Sequence, residues 1–191
     1  MNGRIALMKL HLPLAWPASP PSHAGVVLRP FRDSDAHLAA ELTQDPYIQL
    51  ISTIPVRPTE EEAMEWILHQ NGRFTEGVGY SFAIADAATD RALGQIGMWL
   101  KAVETGRATA GYLVAPSARG RGVGAAALIA LTCFAWTLPV LHRVELYIEP
   151  WNTGSIRTAE AAGYQREGLL RSHQAIDGER RDMLLYAAIR P

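Results

Sequence analysis

Three runs in the middle of the chain, residues 80–85, 92–101 and 109–115, are rich in β-forming residues and are separated by short polar turns. Links this short favour an antiparallel meander. Residues 26–31 predict an earlier strand and 143–148 a later one, and two last strands flank the turn Asp177-Gly178. Helices are read from their caps and periods. Asp33 is expected to cap a helix to Leu42, because its carboxylate can accept from free amides of the first turn. Thr59 with Glu62 forms a capping-box pair that starts a second helix running to about Gln70, with Met64, Trp66 and Ile67 on its buried face. Residues 123–138 are almost wholly apolar and too long for an ordinary strand, which predicts a helix buried on most sides. A last helix spans 152–162 and stops at Gly163, a residue suited to a left-handed C-cap. Residues 45–58 hold three prolines and little periodicity, so they read as a loop or broken helix.

The resulting order is strand, two helices, three strands, helix, strand, helix, two strands, without an internal repeat or a dividing linker. It predicts one mixed α/β domain over residues 26–191. Residues 1–25 carry Pro13, Pro17, Pro20 and Pro21, which interrupt any apolar run well before the ~20 residues a membrane-spanning helix needs. They are read as a flexible or loosely packed arm, with no membrane association expected. The positive region and apolar run that a secretory leader requires are weak.

Composition narrows the classes. With 48% hydrophobic and 19% charged residues, the 191-residue chain can bury a continuous core, which excludes disorder of the whole. The 18 basic and 19 acidic residues are interspersed, so there is no basic footprint for nucleic acid. A single cysteine, Cys133, forms no intrachain disulfide and suits the cytoplasm. No metal site is expected.

Candidate chemistry concentrates between Gly111 and Gly124. Here a strand, a loop with Gly120, Gly122 and Gly124 in alternation, and the first turn of a helix follow one another. Unpaired N–H groups then converge beside the positive end of the helix dipole, a cradle for a diphosphate. Gly122 and Gly124 let the backbone approach, and Arg119 and Arg121 add charge. The alternative is that the glycines merely make a tight turn and the arginines are solvated.

Arg119, Gly122 and Gly124 resemble the acetyl-CoA loop of the GNAT acetyltransferase superfamily, Arg/Gln-x-x-Gly-x-Gly/Ala. Further matches follow in order: Arg143-Val144-Glu145-Leu146, Asn152-Thr153-Gly154-Ser155, Ala162-Gly163-Tyr164, Glu167-Gly168, Arg171, and Arg181-Asp182-Met183 before Leu185-Tyr186. This series is similar to the ribosomal-protein N-terminal acetyltransferase branch, the RimJ and RimL type. The resemblance implies an acyl-CoA N-acyltransferase fold with a splayed central sheet flanked by helices, and acetyl-CoA as cosubstrate. It assigns CoA binding to Leu113, Val114, Arg119, Gly120, Arg121, Gly122, Val123, Gly124 and Asn152. Leu113 and Val114 supply main-chain contacts to pantetheine, and an N–H there stabilises the oxyanion.

The resemblance also gives Ser155 the departing thiolate to stabilise, since the tyrosine used by many members seven residues after the asparagine is Ala159 here. A hydroxyl is a weak acid, so hydrogen bonding counts as much as proton donation. Glu145, Tyr147 and Glu149 alternate on one face of a strand, which makes Glu145 or Glu149 a candidate base; both can equally face solvent. Asn152 is also a sound helix cap. The acceptor implied is a ribosomal-protein N-terminal α-amine, with polyamines, aminoglycosides and amino-acid derivatives behind it, and the chain is expected to be a monomer or homodimer. Two rivals stand. A dinucleotide fold would use Gly122-Val123-Gly124-Ala125-Ala126-Ala127 with Glu145 about 20 residues later, although residues 116–121 then separate strand from glycines. A CoA-binding sensor without turnover would keep the same loop.

Overall fold

The computed structural model describes residues 14–191. Its strands form a single eight-stranded sheet in the order β1-β2-β3-β4-β5-β6-β8-β7. The strands are β1 (Ser22–His23), β2 (Val26–Arg29), β3 (Gly79–Asp86), β4 (Ala92–Trp99), β5 (Arg107–Val114), β6 (Arg143–Ile148), β7 (Gln165–Ile176) and β8 (Glu179–Ile189). All neighbours are antiparallel except β5 and β6. The helices are α1 (Ala36–Leu42), α2 (Pro46–Ile51), α3 (Glu60–Gly72), α4 (Val123–Ala135) and α5 (Thr153–Ala161). The mixed α/β architecture and the predicted meander are therefore present.

Alternation along β3 assigns helices to the two faces of the sheet. Tyr80 and Phe82 meet Phe134 of α4 edge-on at 4.9 and 5.8 Å, whereas Ser81 between them reaches Gln70 of α3. Helix α4 is apolar nearly all round because it is covered nearly all round, by strands on one side and α5 on another.

Three local expectations change. Asp33 is not a cap; Asp35 accepts from the Arg32 amide instead, and its carboxylate also holds the buried Arg29 guanidinium at 2.7 and 3.0 Å. Within 45–58 there is an ordered helix, α2, whose cap is Asp45 accepting from the Tyr47 amide at 2.8 Å, with Pro46 at the first helical position. The expected flexible arm lies outside the described residues up to residue 13. Of the described part, Leu14 and Trp16 are docked on the core, whereas residues 18–20 and 22–25 are exposed. Leu14 is 4% exposed, Trp16 lies against Phe82 at 4.8 Å, Ala15 accepts from the Tyr80 hydroxyl, and β1 pairs with β2. Proline there blocks a helix without blocking burial in an extended conformation.

What positions the site is the one parallel pair. β5 and β6 are paired only at Arg107–Arg143, Ala108–Val144 and Thr109–Glu145. Beyond Thr109 the two strands part, and the outer half of β5 has a partner on its β4 side alone.

Candidate active site

The gap between β5 and β6 opens into two cavities that share a wall. The larger, about 710 Å³, runs past the loop after β5 and the start of α5, and is lined by Val114, Arg119, Gly120, Gly122, Val123, Gly124 and Arg157 among others. The smaller, about 400 Å³, lies between α3, β4 and β6 and is lined by Trp66, Gln70, Arg73, Gln95, Trp99, Tyr147 and Glu149. Tyr47, Ile51, Tyr112, Leu113, Asn152 and Ser155 line both.

The loop has the properties that a diphosphate cradle needs. Gly120 and Gly122 have φ of +72° and +76°, conformations that L side chains rarely adopt, and a Cβ on either would meet no protein atom within 4 Å. Gly124 is different. Its φ is ordinary, but a Cβ would lie 3.2 Å from Thr158 and 3.4 Å from Tyr112, so its smallness lets α4 pack against α5 and β5. Among the described residues, none of the amides from Gly120 to Ala125 reaches an acceptor with hydrogen-bonding geometry, and α4 has no side-chain N-cap. These free donors sit at the positive end of the helix, beside the larger cavity.

The arginines differ from expectation. Arg119 lines the cavity, but its Nε donates to the Val114 carbonyl at 3.0 Å and its guanidinium pairs with Asp45 at 2.6 Å. It braces the loop against β5 and the cap of α2. Burial alone raises the Asp45 carboxyl, yet the Arg119 hydrogen bond, the Tyr47 amide and the Arg119 charge outweigh it and leave Asp45 below its ordinary value. Arg121 does not line either cavity, and its charge acts on Asp86. Arg157 of α5, which the sequence did not single out, lines the groove in its place.

Strand alternation revises the main-chain assignment. The Ala115 amide donates to Leu93 on β4, and the β4–β5 register pairs Gln95 with Leu113 and Gly94 with Val114. The main-chain groups of Leu113 therefore point to β4, while those of Tyr112 and Val114 face the gap, the Val114 carbonyl being taken by Arg119. Leu113 remains on the cavity wall. Tyr112 was missed because only the register reveals which residues of an edge face outward.

At the shared wall, Asn152 caps α5 by accepting from the Ser155 amide at 3.0 Å, which places Ser155 in the first turn. The partly buried Tyr112 phenol faces Ser155, and burial raises it above its ordinary value. Glu145 is not brought to either cavity. It is 5% exposed, and its carboxylate accepts from Arg143 Nε at 2.6 Å and from the Tyr147 hydroxyl at 2.8 Å, with Arg107 3.8 Å away. Glu149, also 5% exposed, lines the smaller cavity, and its one ion-pair partner among the described residues is Arg181, at 4.0 Å. Tyr47 stands over it. Burial, then the Glu149 carboxylate, hold the Tyr47 phenol well above its ordinary value, so it is a protonated donor at neutral pH. Tyr47 also meets Trp151 edge-on at 4.7 Å. Nothing in the irregular 45–58 segment signalled that role.

Residues 26–165 match the acetyltransferase (GNAT) domain family. This chain belongs to that family. A relative in Bacillus licheniformis, the N-acetyltransferase p20, is 28% identical over 165 residues, covering 86% of this chain and 93% of its own length. The structure of RimJ from Mycobacterium smegmatis in complex with CoA-disulfide superposes with a TM-score of 0.74 at 26% identity, covering 90% of this chain and 86% of that one. RimL, a ribosomal L7/L12 α-N-protein acetyltransferase in complex with coenzyme A, shares the fold with a TM-score of 0.74 at 18% identity, over 88% and 96% of the two chains. The dinucleotide alternative falls with this membership, and the meander upstream of the loop agrees.

Proposed function

We propose that this GNAT acetyltransferase moves an acetyl group from acetyl-CoA to a primary amine by direct attack in a ternary complex, with the N-terminal α-amine of a protein, such as a ribosomal protein, as acceptor. The observation that carries the reading is the meeting of two cavities at Tyr47, Leu113, Asn152 and Ser155, where the pairing of β5 with β6 has stopped. One cavity suits the donor and the other the acceptor.

The free amides of residues 120–125 hold the diphosphate, and Arg157 adds charge. The exposed main-chain groups of Tyr112 and the Val114 amide pair with the pantetheine arm as a neighbouring strand would. An N–H on that edge hydrogen-bonds the thioester oxygen more strongly as it gains charge, a form of stabilisation worth about 3 kcal/mol per donor in known cases. The amine nitrogen forms its bond to the carbonyl carbon as the carbon–sulfur bond breaks. Glu149 takes the proton that the amine gives up, directly or through a water, and the hydroxyls of Ser155 and Tyr47 hydrogen-bond the departing thiolate. An α-amine has a reference pKa of about 8 against about 10.4 for lysine, so one carboxylate is sufficient assistance.

The test is release of free thiol from acetyl-CoA with a panel of short peptides of differing N-termini, polyamines and aminoglycosides. Turnover of peptides supports the proposal, and turnover confined to polyamines or aminoglycosides moves the acceptor class. Ser155→Ala is expected to lower kcat with little change in acetyl-CoA affinity; an unchanged kcat removes Ser155 from the mechanism.

A further inference from the structure

The acceptor cavity has a cation with no ion-pair partner among the described residues. Arg73 caps the end of α3 and lines the smaller cavity, and it is the one Arg or Lys to do so among the described residues. Its guanidinium lies over the Trp99 ring, 5.7 Å from the centroid. That ring in turn lies flat on the sheet. A Cβ on Gly97 would be 3.0 Å from it and one on Gly111 3.2 Å, and these two glycines are register partners on β4 and β5. Two adjacent glycines thus make room for an aromatic floor, and the floor supports the cation.

One hydrogen bond orients the head group. Arg73 Nε donates to Gln70 Oε1 at 3.0 Å, and this oxygen already accepts from the buried Ser81 hydroxyl at 3.0 Å and from Gln95 Nε2 at 3.3 Å. The amide oxygen does not need arginine to be satisfied. The buried network instead fixes the direction in which the guanidinium points, leaving its two terminal nitrogens without a hydrogen-bond partner among the described residues. Burial works against its charge, and Glu76 acts on it only at longer range. A half-buried, oriented, unpaired fork is an arrangement that an anion stabilises.

We infer that Arg73, seated on Trp99 and aimed by Gln70, is the receptor for a carboxylate on the acceptor, so that the acceptor carries an acid group as well as the amine. This rests on the transfer reading above and names the chemistry of its acceptor. The same cavity presents Glu149 to the ammonium, so its one cation and one anion match an acceptor with one of each. A phosphate dianion would bring a second negative charge beside Glu149 without a second cation to meet it. The carboxylate has two sources, a free amino acid or the acidic side chain of a peptide, and the test separates them.

Two matched pairs serve as probes: alanine with alaninamide, and amidated tetrapeptides beginning alanine-glutamate or alanine-glutamine. Each is titrated into the CoA-saturated protein by calorimetry at about pH 6, where both amines of a pair are protonated, and each is assayed for thiol release. In one pair the carboxylate member is expected to bind roughly 10- to 100-fold more tightly, with the difference in KM and little in kcat. Arg73→Gln abolishes that preference and leaves the amide member unchanged; Arg73→Lys, which keeps the charge without the fork, retains part of it. Charge-indifferent binding in both pairs, or a preference that survives Arg73→Gln, overturns the inference. A calorimetric preference with no acetylation of any probe leaves the anion site standing and removes the transfer reading.

Discussion

Alanine at position 122 tests the loop geometry most directly. Gly122 has φ +76° and ψ 2°, and a Cβ there meets no protein atom within 4 Å. The substitution therefore costs no packing. Its penalty is the strain of an L residue in the left-handed region, about 1–2 kcal/mol, partly offset by the smaller conformational freedom of alanine in the unfolded chain, about 0.4–1 kcal/mol. The net of about 1 kcal/mol lowers Tm by about 2–4 °C for a chain of this size. Binding is expected to suffer more. Relief of the strain rotates the neighbouring amides out of line, and losing one hydrogen bond to a charged group, about 1.5–3 kcal/mol, weakens acetyl-CoA roughly 10- to 100-fold. Gly124→Ala is the contrast: the 3.2 Å approach to Thr158 opposes a gain in helix propensity of about 1 kcal/mol, so its stability stays near that of the parent. Urea unfolding followed by circular dichroism gives the first quantity and calorimetric titration with acetyl-CoA the second. A Gly122→Ala protein with parental stability and parental affinity would refute the free-amide cradle.

Glu149→Gln is expected to lower kcat by about 10²–10⁴, whereas Glu145→Gln acts on stability alone; thiol-release kinetics on both variants decide it. Asp35→Asn leaves the buried Arg29 guanidinium, bound at 2.7 Å, without its main counterion and is expected to cost about 3 kcal/mol by urea unfolding. Asp45 has a lowered folded value, so the stability from its pair with Arg119 is full above the unfolded carboxyl pKa, about 3.9, and is lost as pH falls through the folded one. Asp45→Asn should accordingly flatten the stability profile below about pH 4, measured as Tm against pH. Trp99→Ala should weaken acceptor binding while leaving acetyl-CoA binding unchanged, checked by calorimetry with each.

The sequence by itself determined most of the elements and the glycine loop, because both depend on neighbours along the chain. Capping by Thr59 and Glu62, the apolar run that became α4, the meander of β3 to β5 and the glycines at 120, 122 and 124 are all local signals. Local signals also misled. Asp33 satisfies the cap pattern, but the competing acceptor Asp35 is tied to Arg29 and takes the Arg32 amide.

Only the tertiary structure decided which of the legible residues reach the cavities. Glu145 and Glu149 share a strand face in sequence, yet Arg143, Arg107 and Tyr147 claim the first, and the parting of β5 from β6 leaves the second on the cavity wall. Arg119 and Arg121 read alike, yet Arg119 pairs with Asp45 on the groove and Arg121 lines neither cavity. Tyr47 and Arg73 had no local signature at all. Their roles come from charges and rings brought close by elements far apart in the chain, Glu149 for one and Trp99 for the other, and a one-dimensional pattern carries no record of such distances.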